Sequence, residues 1–228
     1  MSLAIANRPM VPISTPTPAP KLSGEVFATL INLSGRRRFT SQRVVLYAVL
    51  AAKKDPTLGG VASDALVLFR DAHIALIKGD DKLPGVFCSS LQEAYFGPEQ
   101  GDKKIREFIE LAERALHAIQ SGWRQVPVLL DELIETTTPL LAVLNSITAI
   151  YEKEARSHAS RTKNQLLDVM SEIKAISKQA HMVAFNAQII AARAGTAGRE
   201  FSVVATVMTG ITGEIDKLLQ AALAESSA

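Results

Sequence analysis

Residues 169–222 constrain this chain more than any other stretch, because apolar residues recur there in two heptad runs separated by four small residues. On the incoming side Val169, Ile173, Ile176, Ala180, Val183, Ala187, Ile190 and Ala194 alternate steps of four and three; on the return side Phe201, Val204, Met208, Ile211, Ile215, Leu218 and Ala222 alternate three and four. Such steps hold residues on one face of an α-helix. Between the runs, Gly195-Thr196-Ala197-Gly198 supplies residues that tolerate positive φ. The pattern predicts an antiparallel coiled-coil hairpin with its turn at 195–198 and the two runs facing each other.

The rest of the chain reads as helices too. Of 228 residues, 47% are hydrophobic but only 5% aromatic, a balance that favours an all-α bundle over a sheet sandwich. Residues 1–22 hold Pro9, Pro12, Pro16, Pro18 and Pro20 and read as a flexible tail. Ser23 is placed to cap a helix from Glu25 to Lys53, which Asp55-Pro56 and Gly59-Gly60 end. A second helix is expected from Val61 to Lys78, a short one from Ser89 to Tyr95, and a third long one capped by Asp102 and ending near Ser121. The fourth starts near Val126, passes Pro139, and shows no break from Leu140 to Ala194. The expected organisation is a four-helix bundle over 23–150 that continues through a long helix into a hairpin over 151–228. A wide apolar stripe on the hairpin, with Met182, Phe185 and Ile189 beside the seam, predicts a homodimer.

Composition excludes several classes. A net charge of +2 is too slight to argue for nucleic acid. Cys88 is the sole cysteine, so no intrachain disulfide forms. The longest unbroken apolar run, Val44 to Ala52, is too short to cross a bilayer, and no signal peptide is visible, so a cytoplasmic protein without membrane insertion is expected. His73, His117, His158 and His181 are scattered, and no phosphate loop or nucleophile motif occurs. No catalytic residue, metal ligand or cofactor is assigned, and an enzyme is not expected.

Residues 31–43, INLSGRRRFTSQR, form the one constellation that reads as a binding site. In a helix, Asn32, Gly35, Arg38 and Gln42 share a face, whereas Arg36 and Arg37 point away from Gly35 by about 100° and about 200°. Glycine in a helix interior costs up to ~1 kcal/mol relative to alanine, which suggests close approach of a partner at Gly35. Across a two-fold axis the Arg38 side chains of two subunits would meet, and an anion between them would relieve their repulsion. Arg36, Arg37 and Arg43 are expected on the solvated face.

Two resemblances sharpen these expectations. Asn186-Ala187, Ala191-Ala192-Arg193-Ala194-Gly195, Gly198-Arg199, Phe201 and Val203-Val204-Ala205 resemble the signalling tip of methyl-accepting chemotaxis proteins. That likeness implies that Asn186, Ile189, Ile190, Arg193, Gly195, Thr196, Gly198, Arg199, Phe201 and Val203 contact a chemotaxis kinase, a coupling protein or other receptor hairpins. The family usually has glutamate where Ile190 and Thr196 stand, glycine at Glu200 and an acidic residue at Val207, departures that argue against ordinary kinase activation. Ile31, Asn32, Gly35, Arg38, Ser41 and Arg43 resemble the first-helix motif of type IV pilus chemotaxis transducers and nitrate/nitrite sensor kinases. There the implied ligand is nitrate or nitrite, held by Arg38 with Gly35, Asn32, Gln42 and Arg43. The alternative is a ligand-free adaptor associated with chemoreceptor or pilus signalling assemblies.

Overall fold

A computed structural model describes residues 21–227 and is all-α, with no strand among the described residues. The proline-rich segment read as a tail lies, up to residue 20, outside them. Among the described residues six helices follow one another: α1 (Gly24–Lys53), α2 (Gly59–Lys78), α3 (Ser89–Phe96), α4 (Gly101–Ser121), α5 (Val126–Arg193) and α6 (Arg199–Ser227), with short 3-10 turns at Pro56–Leu58 and Gly195–Gly198. The chain divides into two compact units, residues 1–155 and 156–228, and α5 contributes to each.

Helix ends follow the local chemistry. The Ser23 hydroxyl accepts the Val26 amide and starts α1, and Asp55 accepts the Thr57 amide to cap the turn after it. Asp102 does not cap α4. Gln100, left-handed at φ 49°, holds the cap position, and the Asp102 carboxylate is turned into the protein instead.

In the first unit, α1, α2, α4 and the first part of α5 enclose an apolar core that includes Leu30, Val44, Phe69, Leu76, Ile105, Leu133, Leu144 and Ile147, with Leu91 and Tyr95 of α3 inserted into it. The face of α1 that enters this core runs Phe27, Leu30, Ser34, Arg37, Ser41, Val44, Ala48, Ala51, alternating three and four. Arg37 therefore occupies a core position and is fully buried, contrary to the solvated position expected for it. The inward face lies opposite the Gly35 face, its pattern masked by the polar residues Ser34, Arg37 and Ser41.

In the second unit, α5 and α6 form the hairpin, but not with the expected seam. The buried positions are Met170, Ser177, Ala184 and Ala191 on α5, Gly198 at the end of the turn, and Ala205 and Thr212 on α6, each seven residues from the next. Val169, Ile173, Ile176, Val183 and Ile190, and Phe201, Val204, Ile211 and Leu218, expected to face one another, are all exposed. The physical reason is size: small residues let two helices approach closely, and the bulky ones on either side are turned outward.

α5 also contains an eighteen-residue stretch long and apolar enough to cross a membrane by length and composition, 28% of it buried inside the protein. Threonine and proline interrupt α5, so a search for unbroken apolar runs passes over it.

Candidate functional site: a hairpin tip and a buried polar chain

Gly195 takes the left-handed conformation at φ 62° and ends α5, while Gly198 is demanded by contact: a Cβ there would strike the carbonyl oxygen of Ala191. The seven-residue layers pair in one antiparallel register. Ala191 meets Gly198 at the turn, the Ser177 hydroxyl donates to the Thr212 carbonyl at 3.2 Å, and Ala184 and Ala205 are the buried layer between them. His181 Nδ1 lies 3.2 Å from the Thr212 hydroxyl, and Gln188 Nε2 donates to the Thr206 hydroxyl at 3.4 Å.

Outside this seam one side of the hairpin is apolar. The large residues sit one position before or three positions after each seam residue, on α5 and α6 alike. In an antiparallel pair the same rotational offset on both helices brings both stripes to one side of the hairpin. Ile176, Val183, Ile190, Phe201, Val204 and Ile211 thus share one exposed face. Met182, Phe185, Ile189, Val203 and Val207 are exposed at other rotational positions near the tip. Of the tip residues named from sequence, Gly198 is buried; Asn186, Ile189, Ile190, Arg193, Gly195, Thr196, Arg199, Phe201 and Val203 are exposed.

In the first unit the residues named from sequence divide between two faces of α1. Asn32 and Gln42 are exposed and Gly35 is half-buried, with no heavy atom nearer a notional Cβ than the Arg38 guanidinium at 3.6 Å. Arg38 donates from Nη1 to Asn145 Oδ1 at 3.1 Å. Arg43 is half-buried, its guanidinium against the rings of Phe39 and Tyr47 and its buried Nε without a hydrogen-bond partner. The outer face reads Asn32, Gly35, Phe39, Gln42, Leu46, Val49 in heptad steps, with Phe39 and Leu46 more than half exposed.

The inner face of α1 enters a chain of buried polar groups that the sequence reading missed. Thr148 and Ser34 hydroxyls lie 2.8 Å apart, Arg37 Nη2 donates to Ser34 at 3.2 Å, and Arg37 Nη1 lies 3.1 Å from His73 Nδ1. A guanidinium only donates, so Nδ1 carries a lone pair and the imidazole proton sits on Nε2. From there it donates to Asp102 Oδ1 at 2.9 Å, and the other carboxylate oxygen takes Arg106 Nε at 2.9 Å. The neutral ring thus relays between a buried cation and a carboxylate. Burial first, and then the Arg37 charge, lower the His73 pKa from 6.5 to about 4, against the pull of Asp102. The Arg37 guanidinium also lies 5.7 Å from the Tyr95 ring centre, and the Tyr95 and Tyr151 hydroxyls are 3.4 Å apart. Burial and the Tyr95 phenol push the Tyr151 hydroxyl far above its ordinary pKa. The signal for this chain was the heptad position of Arg37, seven residues after Leu30 and seven before Val44.

Comparison with known proteins bears on the hairpin. Residues 141–214 match the methyl-accepting chemotaxis protein (MCP) signalling domain. Methyl-accepting chemotaxis protein McpS of Pseudomonas putida is 38% identical over 73 residues, 29% of this chain and 11% of its own length. Methyl-accepting chemotaxis protein McpK of Pseudomonas aeruginosa is 41% identical over 58 residues, 25% of this chain and 9% of its own. The chain thus spans about a tenth of the length of these relatives, and no solved structure matches it significantly. Over residues 141–214 the chain is chemoreceptor-like, and its hairpin tip lies inside the matched stretch.

Proposed function

We propose that this protein is a chemoreceptor-like signal transducer whose hairpin associates with a second copy through its outward apolar face. The observation that carries the reading is that face: within the stretch matched to the signalling domain, Ile176, Val183, Ile190, Phe201, Val204 and Ile211 are turned to one side, and the layers nearest the turn keep small residues between the two helices. So much contiguous apolar surface marks an interaction site. The heptad stripe on the outer face of α1, Gly35 to Val49, offers the first unit a self-complementary surface of its own. Where two copies pair through that face of α1, two Arg38 side chains, each donating to the neutral amide oxygen of Asn145, meet across an axis and take up a small anion, nitrate or nitrite first. The protein acts in the cytoplasm and is not an enzyme in this reading. Kinase and coupling-protein contacts fall on the tip residues around Arg193 and Arg199.

A second reading, a ligand-free adaptor for receptor or pilus assemblies, is favoured by one observation. Ile190, Thr196, Glu200 and Val207, where the family pattern differs, are all exposed at or near the tip. Thermal unfolding with and without millimolar nitrate separates the two. A saturable rise in Tm that Arg38→Ala removes supports the sensor, and an unchanged Tm supports the adaptor.

A further inference from the structure

The buried polar chain ends at a cleft between α2 and α4. Arg70, Ile74, Ile77 and Lys78 recur along one face of α2, and Arg106, Ile109 and Glu110 along the facing side of α4. The cleft encloses about 290 Å³, near the lower bound of roughly 300 Å³ for small-molecule pockets, so it suits a short ligand rather than a cofactor. Its walls combine three isoleucines with three cationic side chains and one carboxylate, Glu110.

The cations are not equally committed. Arg70 reaches Glu113 at 3.4 Å and Asp71 at 3.7 Å. Arg106 is paired with Asp102 through Nε at 2.9 Å, while most of its side chain stays exposed. Lys78 has no carboxylate within 4.0 Å among the described residues. His73 lies in the lining and is nearly fully buried, its Nε2–H on the carboxylate that holds Arg106.

We propose that this cleft binds a small amphipathic carboxylate, its head group on Arg106 and Lys78 and its short aliphatic chain along Ile74, Ile77 and Ile109. Charge complementarity fixes the head group, since a neutral aliphatic molecule leaves Lys78 unanswered and an inorganic anion leaves the isoleucines uncovered. A ligand on Arg106 competes with Asp102 for the same guanidinium, so binding is felt at His73 and, through it, at Arg37 on α1. The site deepens the sensory reading of the first unit but is separate from the Arg38 anion site.

The test is calorimetry and thermal unfolding of the full chain with sodium hexanoate, against hexan-1-ol and sodium nitrate at matched ionic strength. Saturable hexanoate binding with a higher Tm is expected, with no comparable effect of hexan-1-ol or nitrate in an Arg38→Ala background. Lys78→Gln, an exposed change that leaves the buried chain intact, should weaken hexanoate about tenfold, and Arg106→Gln at least as much. Absence of saturable binding overturns the proposal. So does hexan-1-ol binding equally well, or a hexanoate affinity unchanged by both substitutions. Loss of the nitrate response alone strikes the Arg38 site and leaves hexanoate binding as the result that supports this one.

Discussion

The His73 ring ties the stability of the first unit to pH. His73 must accept at Nδ1 from Arg37, so protonating it places two cations 3.1 Å apart in a buried setting. In the unfolded chain His73 takes up its proton near pH 6.5, and in the folded chain near pH 4. The unfolded state therefore binds the extra proton between those values, and stability is full above pH 6.5 and falls as pH drops towards 4. The loss amounts to about 2 kcal/mol by pH 5. Urea unfolding at pH 7.5 and pH 5 should show it, and His73→Gln should remove most of the difference; an equal slope in the variant would show that another group is responsible. The two neighbouring arginines should also differ sharply. Arg37→Ala opens a cavity and strands the partners of a buried charge, at a cost of roughly 3 kcal/mol, whereas Arg38→Ala, near the surface, costs under about 1 kcal/mol. Urea midpoints at unchanged slope distinguish them, and comparable losses would refute the burial of Arg37.

At the scale of the element, helix ends were legible because capping and turn chemistry is local. Ser23, Asp55-Pro56, Gly122 and the GTAG turn announce themselves within four residues. Which face of a helix turns inward was not legible, and for opposite reasons in the two units. In α1 the inward face carries Ser34, Arg37 and Ser41, and the partners that draw Ser34 and Arg37 inward, Thr148 and His73, lie 114 and 36 positions away, so hydrophobicity alone ranks that face low. In the hairpin the outward residues are the more hydrophobic, and counting them placed the seam about 80° from where Ser177, Ala184 and Ala205 put it. The register gives a direct check. In a Cys88→Ser background, Ala184→Cys with Ala205→Cys should oxidise to an intrachain disulfide, while Val183→Cys with Val204→Cys should favour links between chains. The reverse would restore the seam read from sequence. Ala184→Leu should destabilise the hairpin by about 1–3 kcal/mol, since nothing in that layer can move aside for it, and circular dichroism during thermal unfolding would register the loss.

For the molecule as a whole the outward face of the hairpin is what most needs an occupant. Ile176, Val183, Ile190, Phe201, Val204 and Ile211 are each more than half exposed in the single chain, and leaving them in water forgoes about 25 cal/mol for every Å² that a partner would cover. A second copy covers it most simply, because a two-fold axis sets identical apolar faces against each other. Light scattering at tens of micromolar should therefore give a dimer, and Val183→Glu with Val204→Glu should give a monomer that keeps its helicity. A monomeric parent would sink both the dimer and the shared anion site. Association does not by itself imply control of a kinase. A glutamate at position 190 or 196 could pair with an arginine such as Arg193 of a neighbouring hairpin and fix one arrangement, whereas Ile190 and Thr196 supply contact without direction. Bundling without strong stimulation of a chemotaxis kinase is the expected outcome of reconstitution with kinase and coupling protein, and Ile190→Glu with Thr196→Glu should raise it. Full activation by the unmodified protein would show instead that the apolar tip docks those partners as it stands.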